Sequence, residues 1–348
     1  SVTDRKRVSN VGHDMKTGRY LIRVGLTAIS MVCLATGPGS AAAHDDCAAL
    51  AANPYEEGFE RIGKDQMDVD IDAAIAACFA AIELDPEDMF SRARLARAYY
   101  IGQNYEAMYP HIELAAEAGN AMAQQLLGDS LVDGKGIEKD FERSYALLQA
   151  SAAQDYAPGL YSLGLSYRAG EGVEKDDAMA AELFARAAAK DHRFALGDLG
   201  MMKLNADGIE RDVDGGIKLL QRAAALRVSY AMLQLGYLYA DSDLVPHDGP
   251  RALDYFLAAE AAGEASATAA AAYIYLGEYE GVEADFAEAE TMARRAADAE
   301  DGGGHFVLGY MAENGLGMAG DLDAARIHYA KGAELGDDAS IEALARLR

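Results

Sequence analysis

Gly315, Gly317 and Gly320 stand in the spacing G-x-G-x-x-G immediately before "DLDAARIHY". Such a turn can cradle a dinucleotide pyrophosphate, where the backbone approaches the anion at a helix N-terminus after a β-strand. Upstream, however, "GGGHFVLGYMAENG" spaces Phe306, Leu308 and Met311 for a helix. Two related stretches, "GKGIEKD" (134–140) and "GEGVEKD" (170–176), share Gly-x-Gly followed four residues later by Asp. Lys139 and Lys175 replace the third glycine there. A motif used three times reads as a turn between helices. Gly170 or Gly172 can end one helix in the left-handed conformation, and Asp176 can cap the next.

Other spacings that could do chemistry are incomplete. There is no S-x-x-K, H-E-x-x-H or C-x-x-C. "GDSLVDGKG" approaches a phosphate-binding loop, but Gly136 stands where Ser or Thr belongs. "DVDIDA" (68–73) begins like a calcium loop, yet Ala73 replaces its glycine and Phe79 its final glutamate. His111, His192, His247, His305 and His328 are dispersed without ligand spacing and read as surface or boundary residues. Carboxylate pairs carry no information in a chain this acidic. No catalytic residue, metal or cofactor is expected.

The elements behind these turns are helices. Apolar residues make up 51% of the 348, Trp is absent and only 7 residues are Pro. Alanine-rich runs such as "ELFARAAAK" favour helix throughout. Leu-Gly marks recur at Gly128, Gly164, Gly200, Gly236, Ala272, Gly309 and Ala345, at spacings of 36, 36, 36, 36, 37 and 36. Asp140, Asp176, Asp212, Asp248, Asp285 and Asp321 repeat in step, with the extra residue in the same unit, "YLGEYEGVEAD". Four residues after each Asp sits a small residue: Ser144, Ala180, Gly216, Ala252, Ala289 and Ala325. Repeats of this length are two-helix modules that bury their apolar faces only against neighbours.

The pattern A-x-x-x-x-x-L-G-x-x-Y-x-x-G-x-G-V-x-x-D-x-x-x-A-x-x-x-[FY]-x-x-A-A, best formed from Ala157 to Ala188, resembles the Sel-one-like repeat family, a relative of the tetratricopeptide repeats. The resemblance implies an all-α fold: an α-solenoid, a right-handed superhelix of stacked antiparallel helix pairs. Six units cover 121–337. Lys203 replaces the Tyr in the third, "SDL" the glycine pair in the fourth, and Ala272 the Gly in the fifth, so local irregularity is expected there. Residues 88–120, with "ARLARAYYIGQNYEAM", look like one tetratricopeptide repeat. Residues 44–87 are expected as an N-terminal helical cap, and 338–348 as a capping helix.

The other end carries an export signal. Lys16, Arg19 and Arg23 precede an apolar stretch from Val24 to Thr36 and an Ala-x-Ala site ending at Ala43. Residues 15–43 therefore read as a signal peptide cleaved near Ala43. A short membrane anchor is the alternative, and 13 apolar residues are few for that. Residues 1–14 read as an upstream over-extension of the reading frame. A periplasmic or secreted protein with no stable membrane anchor after cleavage is expected. Losing residues 1–43 removes six of 31 basic and two of 57 acidic residues, leaving a net charge of −30. That field disfavours nucleic acid. Cleavage also removes Cys33, so Cys47 and Cys78 remain and read as a disulfide, with a metal site as a poorer alternative.

Positions two, five, nine and twelve of each unit should share one face of its first helix. Tyr161, Leu165, Arg168, Phe194, Met201, Tyr230, Leu233, Tyr237, Tyr273, Phe306 and Tyr310 fall there. Such a row suits a concave partner-binding groove, and packing between adjacent units equally well. Family resemblance implies a non-catalytic adaptor for a protein or peptide partner in the bacterial envelope. An accessory factor or enzyme acting on cell-wall glycan is the alternative, resting on compartment alone.

Overall fold

The computed structural model describes residues 38–347 apart from 57, 59–62 and 65. Residues 1–14 and most of the expected signal peptide lie outside them. Among the described residues there are seventeen α-helices, one 3-10 turn (Gln66–Asp68) and no strand. Helices α1 (Pro38–Ala51) and α2 (Ile71–Leu84) begin the stack, so the expected cleavage point near Ala43 falls within α1. Next come α3 (Met89–Ile101) with α4 (Tyr105–Glu117), α5 (Ala121–Asp133) with α6 (Phe141–Ala153), and α7 (Ala157–Ala169) with α8 (Asp177–Ala188). The series continues with α9 (Arg193–Asn205) and α10 (Val213–Ala225), then α11 (Ser229–Asp241) and α12 (Gly249–Ala261). It closes with α13 (Ser266–Ile274) and α14 (Phe286–Asp298), α15 (Gly302–Asn314) and α16 (Leu322–Glu334), and a last helix α17 (Asp338–Arg346). Consecutive helices pack pairwise along the whole series, so the chain is an all-α solenoid.

The periodic residues set the helix ends. All six aspartates of the repeat series are N-caps; Asp176, for example, accepts from the amide of Met179 at 2.9 Å. Each such cap contributes about 1 kcal/mol. Gly315 and Gly317 both have positive φ, 67° and 70°, and end α15 in the left-handed conformation. Asp321 then accepts from the amides of Asp323 and Ala324, so the donors that a phosphate would use are occupied. A helix also stands where a pyrophosphate cradle requires a strand. The turn is structural.

Packing explains the Leu-Gly mark. A Cβ on Gly164 would lie 2.6 Å from a ring carbon of Phe184, twenty residues on in the facing helix. Gly128 meets Leu148, Gly236 meets Phe256 and Gly309 meets Tyr329 in the same register. The large partner is fully buried each time, and so is the small residue four after the Asp. The irregular units follow their departures. Ser242 ends α11 in extended conformation, and α13 runs only nine residues with no side-chain cap. In the third unit Ala206 takes the left-handed position at φ 65°, a feature the sequence pattern did not signal.

First helices touch the first helices of neighbouring units (α3 with α5, α5 with α7, α13 with α15), while second helices make no comparable contact among the described residues. The first-helix contact is not continuous, since α7, α9, α11 and α13 make no comparable contact with one another. The apolar interior divides near the first Sel-one-like unit. One cluster runs from Cys47 to Tyr156, a larger one from Leu148 to Met311, and a small third one from Ala312 to Ala343 closes the C-terminal end. Cys47 and Cys78 form a disulfide that joins α1 to α2. Arg97 of α3 donates to the carbonyls of Ala51 and Lys64, and Arg94 pairs with Glu56, so the α1–α2 connection is held against α3.

Candidate functional site

Helical period does bring the first-helix residues into one row, but not all of them to the surface. Phe194 is 46% exposed and Tyr237 43%, with Leu165 and Tyr230 similarly open. Arg168 is exposed and holds Asp198 at 3.1 Å. Tyr161 is half-buried and donates its hydroxyl to Asp198 at 2.9 Å. Met201, Tyr273, Phe306 and Tyr310 are half-buried and pack against the core. The last three form an aromatic group with centroids 5.8–6.0 Å apart. Leu233 is 8% exposed and belongs to the interior. The second to fourth units therefore offer the open apolar surface, and the fifth and sixth pack theirs away.

The row leads into a cavity of about 410 Å³ at the seam between the first two apolar clusters. Its walls come from α3, α5, α7 and the start of α9, and from Asn53, Pro54 and Tyr55 of the α1–α2 connection. Leu126, Pro158, Leu165, Phe194 and Tyr100 make the apolar lining, and Tyr161 and His192 stand beside them. His192 caps α9 through Nδ1 and is buried, and that burial lowers its pKa to about 3, so it is neutral. Of the two places its sequence context suggested, surface or boundary, it takes the boundary, at the end of the second unit. Burial pushes the hydroxyl of Tyr161 far above the usual phenol range, with the adjacent Asp198 carboxylate adding to the effect.

Asp129 of α5 also lines this cavity, and the sequence reading passed over it. Its carboxylate is part-buried and accepts from Gln125. Burial raises its pKa to about 6, against the opposing hydrogen bonds from Ser162 and Gln125. A signal was present. Residue 129 occupies position nine of the first unit, in register with Leu165, Met201, Tyr237, Tyr273 and Tyr310. It is the acidic member of an otherwise apolar and aromatic series.

The histidines are less dispersed than their numbering implies. His305 on α15 and His328 on α16 come together, Nδ1 to Nδ1 at 3.3 Å. Two nitrogens without a third ligand do not make a metal centre, and no cluster of three metal-ligating side chains occurs among the described residues. No described helix is long and apolar enough to cross a membrane.

Comparison with known proteins agrees with this architecture. The chain is similar to a protective antigen of uropathogenic Escherichia coli with an SLR fold, at 22% identity and TM-score 0.65 over 78% of this chain. The match spans 59% of the antigen's own chain. It is also similar to a Sel1 repeat protein from Oxalobacter formigenes, at 24% identity and TM-score 0.60, covering 69% of this chain and 96% of that one. These likenesses concern the fold. No curated protein matches the sequence. The Sel1 repeat model matches residues 121–156, 157–192, 194–227, 229–264, 265–301 and 304–337, six units in the register of the Leu-Gly and Asp marks. Spanning well over half of the chain, those six matches establish that it belongs to the Sel1 repeat family.

Proposed function

We propose that this chain is an exported, non-catalytic scaffold that binds an extended segment of a partner protein along its first-helix face, in the periplasm or outside the cell. Repeat scaffolds of this class present long inner surfaces suited to protein–protein interaction. The observation that carries the reading is the open row of Leu165, Phe194, Tyr230 and Tyr237 on a chain of net charge −26. Exposed aromatics in a field of carboxylates cost solubility unless something covers them, and rigid rings bind extended peptides at low entropic cost. Export is supported by the basic and apolar leader in the sequence and by the Cys47–Cys78 disulfide, which persists in oxidising compartments.

Affinity capture from an envelope extract tests this reading, with Phe194→Ala and Tyr237→Ala chains as controls. Loss of one protein partner from both variants supports a scaffold. Equal recovery by all three chains contradicts it, and recovery of cell-wall glycan alone favours an accessory factor for glycan processing.

A further inference from the structure

The cavity beneath the groove has a chemical character that the open row does not. Its cationic residues are already engaged. Arg97 donates to two main-chain carbonyls, Arg193 lies 4.9 Å over the Phe194 ring, and Lys135 beyond α5 is paired with Asp133. Asp129, part-buried in the cavity wall, takes its hydrogen bonds from the neutral side chains of Gln125 and Ser162, while Lys135, paired with Asp133, acts on it through space. Loss of solvent outweighs these favourable contacts, so an ionised carboxylate there is costly to the fold. The same register position is apolar or aromatic in every other unit, so the helix geometry does not require an acid there.

We propose that this cavity is a cation subsite, taking the ammonium or guanidinium group of a lysine or arginine on the partner's extended segment, with Asp129 as counter-ion. The proposal rests on the peptide-groove reading above and specifies what that peptide must carry. Leu165 and Phe194 would cover the aliphatic stem of the side chain, and the Tyr161 ring lies beside its path. The whole chain's negative charge draws a basic segment to this face, and the part-buried carboxylate fixes its register. A cation bound there converts Asp129 from a liability into half of a satisfied pair.

Five groups act on Asp129: Asp133 and Lys135 on its own side, Tyr100 from α3, Tyr156 just before α7 and Tyr161 within it. All three tyrosine hydroxyls are pushed upward, chiefly by burial, and stay neutral at ordinary pH. His192 in the wall is already neutral. Between pH 5 and 8 the titrating member is Asp129, at about 6.

The test uses the whole chain and fluorescent acetylated nonapeptide libraries with Lys, Arg or norleucine fixed at the centre and random flanks. The Lys and Arg libraries should bind at least about tenfold more tightly than norleucine, and Asp129→Asn should abolish that preference. On the unsubstituted chain the Lys advantage should fall about tenfold from pH 7.5 to pH 5, so the outcome does not depend on the variant folding. Equal binding of Lys and norleucine libraries overturns the cation subsite and leaves the groove reading standing. Failure of every library to bind overturns both. Binding of n-butylamine or spermidine as tight as the Lys library overturns the assignment to a polypeptide.

Discussion

Tyr55 donates its hydroxyl to the main-chain carbonyl of Asp191, 3.3 Å away and 136 residues further along the sequence, and its ring centroid lies 5.1 Å from that of His192. Repeats in a solenoid ordinarily touch only their neighbours. Here Tyr55 of the α1–α2 connection reaches from the N-terminal cap to the end of the second Sel1 unit, and the connection lines one wall of the cavity. A turn of the protein's own chain, closed by the Glu56 amide on the Asn53 carbonyl at 3.0 Å, thus already forms part of the wall of the cavity proposed for a partner.

Tyr55→Ala should loosen that bridge at a cost of about 1 kcal/mol, the scale of one aromatic contact. Hydrogen exchange should accelerate at residues 53–56 and in the first turn of α9 together. Acceleration at only one of the two would show that they are not coupled.

The disulfide closes a sequence separation of 31 residues. Replacing Cys47 and Cys78 by Ser should cost on the order of 3 kcal/mol. Because the apolar interior is divided, urea unfolding followed by residue-specific probes should show the loss at α1–α4 first. A uniform loss along the stack would mean that the clusters unfold as one.

Asp129→Asn should stabilise the unliganded protein at pH 7.5 by on the order of 1–3 kcal/mol. The sign follows from a folded-state pKa of about 6 against an ordinary value of 3.8. Between those values the folded state holds the proton more tightly, so stability falls as pH rises through the window and the full penalty is present above 6. The variant should melt higher at pH 7.5 and match the native chain below pH 4. A lower melting point at pH 7.5 would assign Asp129 a structural role.

Gly164→Ala places a methyl group 2.6 Å from Phe184 and should cost about 1–3 kcal/mol by overpacking. The fifth unit shows the compensation, since Ala272 stands in the Gly register and buried Ala293 in that of the large partner. Adding Phe184→Met should restore part of the melting temperature. No recovery would show that backbone approach, rather than side-chain volume, sets the Gly.

Period was legible because it is enforced at every unit. A Gly that lets Phe184 close, an Asp that caps and a small residue opposite the Gly are local requirements, so Asp140, Asp176 and their successors marked the helix starts without any tertiary information. The first-helix face was half legible. Helical spacing placed Leu233 and Tyr237 on one stripe, but it carries no information about which neighbour covers a residue, and Leu233 is covered. Contacts between distant parts of the chain were not legible at all. Neither Tyr55 at His192 nor the approach of His305 to His328 follows from a pattern that speaks only of neighbours. Asp129 was within reach, since the period that aligned Leu165 with Tyr237 also pointed back one unit to it.

The most direct measurement of the scaffold reading is photo-cross-linking in living cells from single sites. A reactive side chain would replace Phe194 or Tyr237 on the first-helix face, and Ile327, 65% exposed on α16, as the reference on a second helix. The account predicts one discrete protein adduct from positions 194 and 237 and none from 327. Adducts of equal yield from all three positions, or an adduct from 327 alone, would contradict it.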